Sequence, residues 1–295
     1  QVMLQLRNQG YSLNSICCFV GITRQAYHKR LRIKDEKQDM YEMLESVVKK
    51  ERQVKSRAGL RVIYYKQGLN TLLGVNQFEQ QMSMRGYALK PYRSYIKTTD
   101  SRGHHFKFDN LIAGQILNGE NQVIVGDITY YQSVSGLYYI FQFLDYYTLE
   151  IKGLLGSDNM RGENAEKCLQ QVLAYNKIRK YENLLILHTD GGGQYRSQHF
   201  QNMLSSAQIR PSHAKNCLEN GLSERENGIV KNEYLNDYEI KNVKHLNRVL
   251  SKIKHQVNEV WPSKTLGYKT PKEYVTWIRN MNIKERPGKT VKEVK

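Results

Sequence analysis

The chain has 295 residues, and its 45 Lys+Arg against 28 Asp+Glu give a formal net charge of +17 at pH 7. This length allows two or three domains, and positive charge spread along the sequence indicates an anionic partner. The hydrophobic content of 40% fits a folded protein, and no run approaches the roughly 18 apolar residues of a membrane span, which argues against a membrane protein.

The cysteines and the start of the chain bear on compartment and processing. Cys17 and Cys18 are adjacent and could hardly bridge to each other, and neither Cys168 nor Cys217 belongs to a Cys-x-x-Cys pair. We therefore expect reduced thiols in a cytosolic protein, and no zinc site. Residue 1 is Gln and no signal peptide follows, so the sequence predicts a fragment or processed product of a longer chain.

Residues 1–34 have the pattern of a helix-turn-helix DNA-binding domain. A short helix from Ser12 to Val20 has one apolar face, Gly21 makes a turn, and Thr23 can cap a second helix that runs to Leu31. The alternative is a basic, solvated helix that only packs on its neighbours. As a recognition helix it would present side chains of the types that contact phosphates and purine edges in a major groove: Arg24, Gln25, His28, Lys29 and Arg30.

Two helical segments and a basic linker are predicted to follow. Residues 35–55 form a helical connector with one apolar face, and residues 56–89 form a second small helical DNA-binding domain whose helices are broken by glycines. Residues 90–119 are basic and aromatic without periodicity. We expect a linker in which Arg93 and Lys97 lie on a DNA backbone; a plain solvated linker is the alternative.

From about residue 120 to residue 240 the pattern is that of an α/β domain. Three strands joined by short turns predict an antiparallel meander, a helix follows, and a wholly apolar fourth strand is typical of burial on both faces. This order, with carboxylates at the ends of the first and fourth strands, is the layout of the ribonuclease-H-like fold, a mixed five-stranded sheet covered by helices. The predicted segments are the strands 122–128, 137–144 and 150–155, the helix 162–178 and the strand 184–187.

The carboxylates at these strand ends are candidate metal ligands. Asp127 follows Val123 to Val125 near the end of the first strand, and Asp190 comes after the fourth strand. With a glutamate from an adjacent helix they would offer hard oxygen donors to two Mg²⁺ ions about 3.5–4 Å apart, which can activate an attacking oxygen and stabilise the leaving 3′ oxygen of a phosphodiester. A single aspartate at a strand end is more often a turn residue, and we assign that role to Asp145.

The choice of the glutamate depends on the faces of a predicted helix from residue 219 to about 235. Leu218, Leu222 and Ile229 fall within about 40° of one another and mark its buried stripe, on which Glu226 also falls. Asn220, Glu224 and Lys231 share the opposite face, on which Asn220 and Lys231 are candidate DNA contacts. A catalytic carboxylate must look into an open site where a nearby cation can meet DNA phosphate. This favours Glu224 as the third ligand, with Glu226 as the alternative.

The loop after Asp190 is a candidate DNA contact. Three glycines at 191–193 allow the backbone to pass close to a ligand. The side chains that follow them, Gln194, Tyr195 and Arg196, would lie where the end of a DNA strand enters the site. An ordinary polar loop is the alternative.

At these residues the chain resembles the retroviral-integrase-like transposases of bacterial insertion sequences, specifically the OrfB product of insertion sequence family three. The resemblance extends beyond the three carboxylate motifs to a segment that closes the family's integrase core and to residues ahead of the core. It therefore covers nearly the whole chain. The segments that carry it are Asp127 to Tyr130, His188 to Tyr195, Asn220 with Glu224, Lys231 and Glu233, Leu266 to Tyr274, and Gly59 to Arg61 with Phe78, Gly86 and Tyr87.

This resemblance implies a DDE transposase with a Mg²⁺-dependent catalytic triad of Asp127, Asp190 and Glu224, for which Mn²⁺ would substitute. Such an enzyme nicks the ends of its element and joins the freed 3′-OH to target DNA. Its partners would be the terminal inverted repeats, target DNA and other copies of itself, as a homodimer or a higher oligomer. The resemblance further implies a bacterial, nucleoid-associated protein, and a helical extension of the integrase core at residues 241–295.

Two positions depart from the family pattern. Ile124 stands where the family usually has tryptophan, and the 33 residues between Asp190 and Glu224 are two fewer than usual. Glu226 would restore the usual spacing, but the offsets to Asn220 and Lys231 fit Glu224, which places a two-residue deletion around residues 214–216. The family's OrfA region is expected to be missing ahead of Gln1.

Two other functions stay open at this point. One is a catalytically inactive, sequence-specific DNA-binding protein; the presence of all three carboxylates argues against such decay. The other is a hydrolytic nuclease of the ribonuclease H kind. The basic helix-turn-helix pattern ahead of the core favours sequence-directed joining over plain hydrolysis.

Overall fold

The computed structural model describes residues 2–90, 108–175, 185–214 and 220–292. No helix within these ranges is both long and apolar enough to span a membrane. The cysteines within them are free thiols. The region ahead of the core is all helical: α1 (Val2–Asn8), α2 (Leu13–Val20), α3 (Arg24–Val54), α4 (Leu60–Lys66) and α5 (Val75–Met84).

Helices α2 and α3 form the predicted helix-turn-helix pattern. Gly21 ends α2 in the left-handed conformation, with φ 71°, and the Thr23 hydroxyl caps α3 by accepting a hydrogen bond from the Ala26 N–H at 3.1 Å. Helix α3 then continues without interruption to Val54, because its sequence contains neither glycine nor proline. The boundary predicted at residue 34 therefore lies inside one helix.

The rest of the described chain forms an α/β unit around one central sheet. Its elements are β1 (Ile116–Leu117), β2 (Val123–Ser133), β3 (Gly136–Asp145), β4 (Ile151–Ser157), α6 (Gly162–Tyr175), β5 (Ile186–Thr189), α7 (Gln198–Ser206), β6 (Arg210–His213), α8 (Gly221–Ile229), α9 (Val243–His255), α10 (Pro271–Arg279) and β7 (Lys289–Thr290). A π-helical turn, Val230–Tyr234, continues α8 directly.

In the described residues the central sheet has five strands in the order β4-β3-β2-β5-β6. Strands β2, β3 and β4 form the predicted antiparallel meander, whereas β5 runs parallel to β2 and β6 runs parallel to β5. A mixed five-stranded sheet with helices on both faces, preceded by an all-helical region, confirms the predicted ribonuclease-H-like fold class.

Alternation along β2 separates two hydrophobic layers. Val123 and Val125 pack in the layer that contains buried residues of α9, while Ile124 packs in the layer formed by α6 and α7. Because residues two apart on a strand share a face, Asp127 and Thr129 lie on the side of Val125. Helix α8 covers that side, as the contacts described below show.

The structure corrects the position of Asp127 within its strand. We predicted that the first strand would end at residue 128, next to Asp127, but β2 continues to Ser133 because it pairs with β3 in a long hairpin from Ile124↔Asp145 to Ser133↔Gly136. Asp190 does follow the end of its strand, β5. The parallel register pairs Val125 with His188, so Asp127 and Asp190, two residues further along each chain, lie at the same level of the sheet.

Strand β6 was not predicted from the sequence. Its four residues, Arg210–His213, are polar apart from Pro211, and proline cannot donate a ladder hydrogen bond. This composition is tolerated because β6 lies at the edge of the sheet, where only β5 needs to pair with it. An isolated edge strand of this kind has no hydrophobic period to detect.

Part of the predicted linker belongs to the core. Arg93 and Lys97 lie outside the described residues, but Ile112 and Leu117 are buried in the main hydrophobic cluster. Strand β1, which contains Leu117, pairs antiparallel with β7 near the other end of the described chain. Residues 108–119 are therefore folded against the α/β unit.

The helical unit from α3 to α5 packs against the same α/β unit. Lys55 Nζ lies 2.6 Å from a Glu233 carboxylate oxygen, and the rings of Tyr65 and Tyr268 stack with centroids 3.9 Å apart. Lys66 Nζ lies 4.0 Å from the centre of the Trp261 ring. Buried residues of both parts form one hydrophobic cluster. Lys55 thus contacts the π-helical turn that follows α8.

Candidate catalytic site

Two aspartates meet where β2 extends past the end of β5. Asp127 is half-buried on the face of β2 covered by α8, and Asp190 is an exposed residue at the start of the loop after β5. Since β2 and β5 are neighbouring strands about 4.8 Å apart, residues at the same level are adjacent across the sheet. The predicted convergence of these two aspartates is thus built into the parallel register.

The glycine loop shapes the surroundings of Asp190. The Gly192 N–H donates a hydrogen bond of 3.0 Å to Asp190 Oδ1. Gly191 has φ 73°, a backbone conformation that L side chains rarely adopt. A Cβ on Gly192 would lie 2.8 Å from Gln194 Oε1 and 3.2 Å from Asp190 Oδ1. The loop can wrap this closely around the carboxylate because these two positions carry no side chain.

Asp145 has the structural role that we assigned to it. It is fully buried, and its Oδ1 accepts hydrogen bonds from the N–H groups of Tyr147 and Thr148 at 3.0 and 2.9 Å. Its Oδ2 accepts a third from the Asn121 N–H. These contacts fix the turn between β3 and β4 and leave the carboxylate turned away from the aspartate pair.

The pKa of Asp127 is shifted by the groups around it. Burial, together with the negative charges of Asp190 and Glu224, raises the pKa of Asp127 to about 7. Hydrogen bonds from the Ile128 N–H and from Asn227 act in the opposite direction. Three carboxylates therefore share one electrostatic environment, in which a bound cation would be favoured.

Helix α8 and its π-helical continuation contact β2 through one polar face. Asn227 Nδ2 donates a 2.7 Å hydrogen bond to Asp127 Oδ2, and Lys231 Nζ donates a 3.1 Å hydrogen bond to Thr129 Oγ1. Asn220 Nδ2 lies 3.5 Å from the Gly126 carbonyl oxygen. Glu224 falls between Asn220 and Asn227 on this face, and its side chain is exposed. The site therefore opens to solvent at Glu224.

Glu226 lies in a different environment. Only 5% of it is exposed, and its nearest cation is Arg225, at 3.5 Å. Burial raises the pKa of Glu226, and the charges that act on it are those of Arg225, Glu233, Lys289 and Lys55 rather than those of the two aspartates. This placement agrees with the buried stripe on which we placed Glu226.

The three carboxylates are suited to a hard divalent cation, but the Glu224 side chain does not close around the site with the two aspartates. Across the described ranges, no group of three or more His, Cys, Asp and Glu side chains is close enough to hold a metal ion. Asp127 and Asp190 form the closer part of the site, and Glu224 reaches it through its charge. The oxygen donors are of the type that Mg²⁺ prefers.

The remaining predicted DNA contacts divide into exposed and buried positions. On α3, all five side chains singled out in the recognition helix are exposed: Arg24, Gln25, His28, Lys29 and Arg30. In the glycine loop Gln194 and Arg196 are both half-buried. Tyr195 and Asn220 are buried, contrary to our expectation that they face DNA: the Tyr195 ring packs against Phe143 and Phe200, and Asn220 faces β2.

Two amides lie beside Asp127 and were not predicted from the sequence. Asn227 completes a spacing of four, three and four residues from Asn220 to Lys231, which is one helical face and could have identified it. Gln142 is the direct cross-strand partner of Asp127 on β3 and is buried, yet neither of its amide atoms has a hydrogen-bond partner among the described residues. A buried polar layer of this kind lowers stability and is typical of functional sites.

We predict that Asn227→Ala lowers catalytic activity by about 10- to 100-fold, because the Asp127 carboxylate loses the amide that orients it. Asn258→Ala is a matched control: Asn258 is also a buried amide, and its Nδ2 donates to the Ile151 carbonyl at 3.0 Å, on another part of the sheet. Activity per folded molecule should fall for Asn227→Ala only. Equal losses in the two variants would mean that Asn227 acts through stability alone.

Two family models match the core. Both are described as "Integrase core domain"; one matches residues 118–216 and the other residues 205–271. Together they run from the segment ahead of β2 to the start of α10, and thus include all three candidate carboxylates.

Solved structures of integrase cores resemble the chain in outline. The HTLV-2 integrase catalytic core domain, solved in complex with magnesium, has a TM-score of 0.43 and 23% sequence identity, and covers 53% of this chain and 97% of its own. A chain in the structure of the simian T-cell lymphotropic virus intasome in complex with PP2A regulatory subunit B56 gamma has a TM-score of 0.48 and 19% identity over 81% of this chain and 76% of its own. At this level the likeness concerns shape alone.

Curated relatives are proteins of insertion elements. The transposase of IS904 from Lactococcus lactis is 28% identical over 198 residues, which are 65% of this chain and 77% of the relative. The IS600 31 kDa protein of Shigella sonnei is 29% identical over 52% of this chain and 56% of its own length, and the InsF transposase of IS3A from Escherichia coli is 36% identical over 34% of each. The chain thus spans about half or less of two of these relatives. Together the two family models, the mixed sheet and these relatives show that the chain contains an integrase core domain and is similar to insertion-sequence transposases.

Proposed function

We propose that this chain binds the terminal inverted repeats of an insertion sequence, nicks the element ends and joins the freed 3′-OH to DNA by Mg²⁺-dependent transesterification. The observation that carries this proposal is the seating of α8 on β2. The polar face of α8 contacts Asp127 through the Asn227 hydrogen bond. The charge of Glu224, on the same face, raises the pKa of Asp127.

Asp127, Asp190 and Glu224 would hold two Mg²⁺ ions, or Mn²⁺ in their place. When bound, the ions supply activation of the attacking hydroxyl and stabilisation of the leaving 3′ oxygen. Asn227 holds the Asp127 carboxylate in one orientation. Lys231 is anchored to Thr129 beside Asp127 and brings a positive charge to where a DNA phosphate would approach.

The proposed DNA partners fit the exposed cations of the helical region. The outward side chains of α3, from Arg24 to Arg30, would recognise the terminal repeat in a major groove. Because an element has two ends that must be joined together, we expect two or more copies of the chain to act on one DNA complex. Target DNA is the second nucleic-acid partner.

We predict that millimolar Mg²⁺ raises the melting temperature of the wild-type protein by several degrees, since an ion that binds only the folded state stabilises it. Asp190→Asn should remove most of this shift. Asp158→Asn, which changes another exposed aspartate, should keep it. An equal Mg²⁺ shift in Asp190→Asn and wild type would place the cation elsewhere. Calorimetry with and without EDTA measures the effect.

The proposed reaction is tested with a labelled duplex that carries an element end and an unlabelled plasmid target. A transposase yields products in which the labelled 3′ end is joined to the plasmid, whereas a hydrolytic nuclease yields cleaved ends only. A protein that binds the end but forms neither product with Mg²⁺ or Mn²⁺ would be a DNA-binding protein without catalysis, and the proposal would be wrong.

A further inference from the structure

Helix α9 has two opposite faces of different chemistry. Its buried face consists of Leu246, Val249, Leu250 and Ile253, which pack in the main hydrophobic layer. The outward face carries Lys244, Arg248 and Lys252, all of them exposed. At 100° per residue these three cations lie within about 80° of one another and point directly away from the sheet. We call them the α9 cationic face.

The α9 cationic face is not balanced by acidic groups. Residues 241–258 contain neither Asp nor Glu. Within the described residues, no carboxylate forms an ion pair with Lys244, Arg248 or Lys252. A solvated helix face is usually mixed in charge, with pairs three or four residues apart that stabilise the helix. Like charges at that spacing repel, so this face reduces helix stability without a local benefit.

The position of this face relative to the site follows from the sheet register. Thr129, which holds Lys231, is paired with Ile140, and Ile140 is paired with Gly156. Asn247 of α9 bonds both backbone groups of Gly156, at 2.9 and 2.8 Å. Neighbouring strands are about 4.8 Å apart, so α9 is anchored about 10 Å across the sheet from Thr129.

Helix α9 and the Thr129–Lys231 contact lie on the same side of the sheet. A Cβ on Gly156 would lie 2.3 Å from Leu246 Cδ2. Helix α9 therefore covers the face of the sheet toward which a side chain at position 156 would point. Ile140, between the two anchoring points, is buried in the same hydrophobic layer as Leu246 and Leu250. From Lys244 to Lys252 the cationic face extends over about 12 Å, a length along which B-DNA carries about seven phosphate charges.

We propose that the α9 cationic face binds the phosphate backbone of target duplex DNA and holds it beside the catalytic site. This inference rests on the proposed strand-joining function. Target DNA fits better than the element ends, because flexible cations on phosphates carry no sequence information, whereas end recognition requires base readout. The helix-turn-helix combines cations with Gln25, an amide that can read an adenine edge, whereas the α9 cationic face consists of cations alone.

The test compares two full-length variants that lose the same number of charges. One is Lys244→Gln/Arg248→Gln/Lys252→Gln, and the control is Lys50→Gln/Lys284→Gln/Lys292→Gln, which changes exposed lysines elsewhere. Glutamine is compatible with a helix, and circular dichroism verifies the fold. Binding to a random-sequence duplex is measured over a range of salt concentrations.

The α9 variant should bind this duplex about 10- to 100-fold more weakly at physiological salt, with a log–log salt slope smaller by about two to three units. The control should change much less. Unchanged binding, or an equal loss in the two variants, would overturn the proposal, because the first shows no contact and the second shows a nonspecific effect of net charge.

A second readout separates target DNA from element ends. With a labelled end duplex, the α9 variant should nick the end within a few-fold of the wild-type rate and join it to plasmid at least 10-fold more slowly. Nicking and joining that fall together would assign the surface to end DNA and contradict the proposal. A wild-type protein that neither nicks nor joins would contradict the proposed function, whereas the salt slope would still report on α9.

Discussion

Glu224→Gln should lower strand joining by about 10³-fold, and Glu226→Gln should leave it within a few-fold of wild type. Replacing a carboxylate ligand by an amide of the same shape removes several kcal/mol of transition-state stabilisation when the carboxylate holds a catalytic cation. Glu224 is exposed, and its negative charge raises the pKa of Asp127. Glu226 is buried beside Arg225 and has no such influence.

The pair of variants is internally controlled, because the two residues lie on one helix and undergo the same chemical change. Joining and end binding should be measured in parallel, and end binding should stay within a few-fold for both. Loss of joining in Glu226→Gln with retained activity in Glu224→Gln would exchange the two roles. In that case the short spacing from Asp190 would need no deletion to explain it.

Gly153→Ala should destabilise the protein by about 3 kcal/mol, because an added methyl group has no room between β4 and α6. A Cβ on Gly153 would lie 2.6 Å from the Cys168 carbonyl oxygen and 3.2 Å from Val172 Cγ2. The first of these atoms belongs to the helix backbone, so the whole of α6 would have to move away from the sheet.

Gly221→Ala is the control for this effect. A Cβ at Gly221 meets nothing within 4 Å, and alanine is favoured over glycine in a helix. Its free energy of unfolding should therefore be unchanged or raised by up to about 1 kcal/mol. Chemical denaturation measures both variants. A Gly153→Ala protein as stable as wild type would show that α6 packs less tightly than the structure has it.

Local signals account for the elements that could be predicted. The helix-turn-helix depends on Gly21 and on the Thr23 cap, which act within one turn of the chain. The meander depends on alternating apolar and polar residues and on short turns, and both can be recognised in the sequence. Glu224 was preferred to Glu226 from helical periodicity alone, and the exposure of the first and the burial of the second agree with that choice.

Features that depend on neighbours in space could not be predicted. The sequence of β6 carries no strand signal, and only the edge of β5 makes it a strand. Tyr195 follows a polar loop, and its burial depends on Phe143 and Phe200 from other elements. The contact of Lys55 with Glu233 joins residues far apart in the sequence, and no pattern in either segment points to it.

The sequence by itself determined the fold class, the order of the first four core strands along the chain and the identity of the candidate carboxylates, because these depend on periodicity and on residue type. Only the tertiary structure decided how the carboxylates are arranged. Asp127 lies in mid-strand because β3 extends its pairing, and it is level with Asp190 because β5 pairs in parallel. The polar layer under α8 and the position of α9 beside it likewise exist only when distant segments pack together.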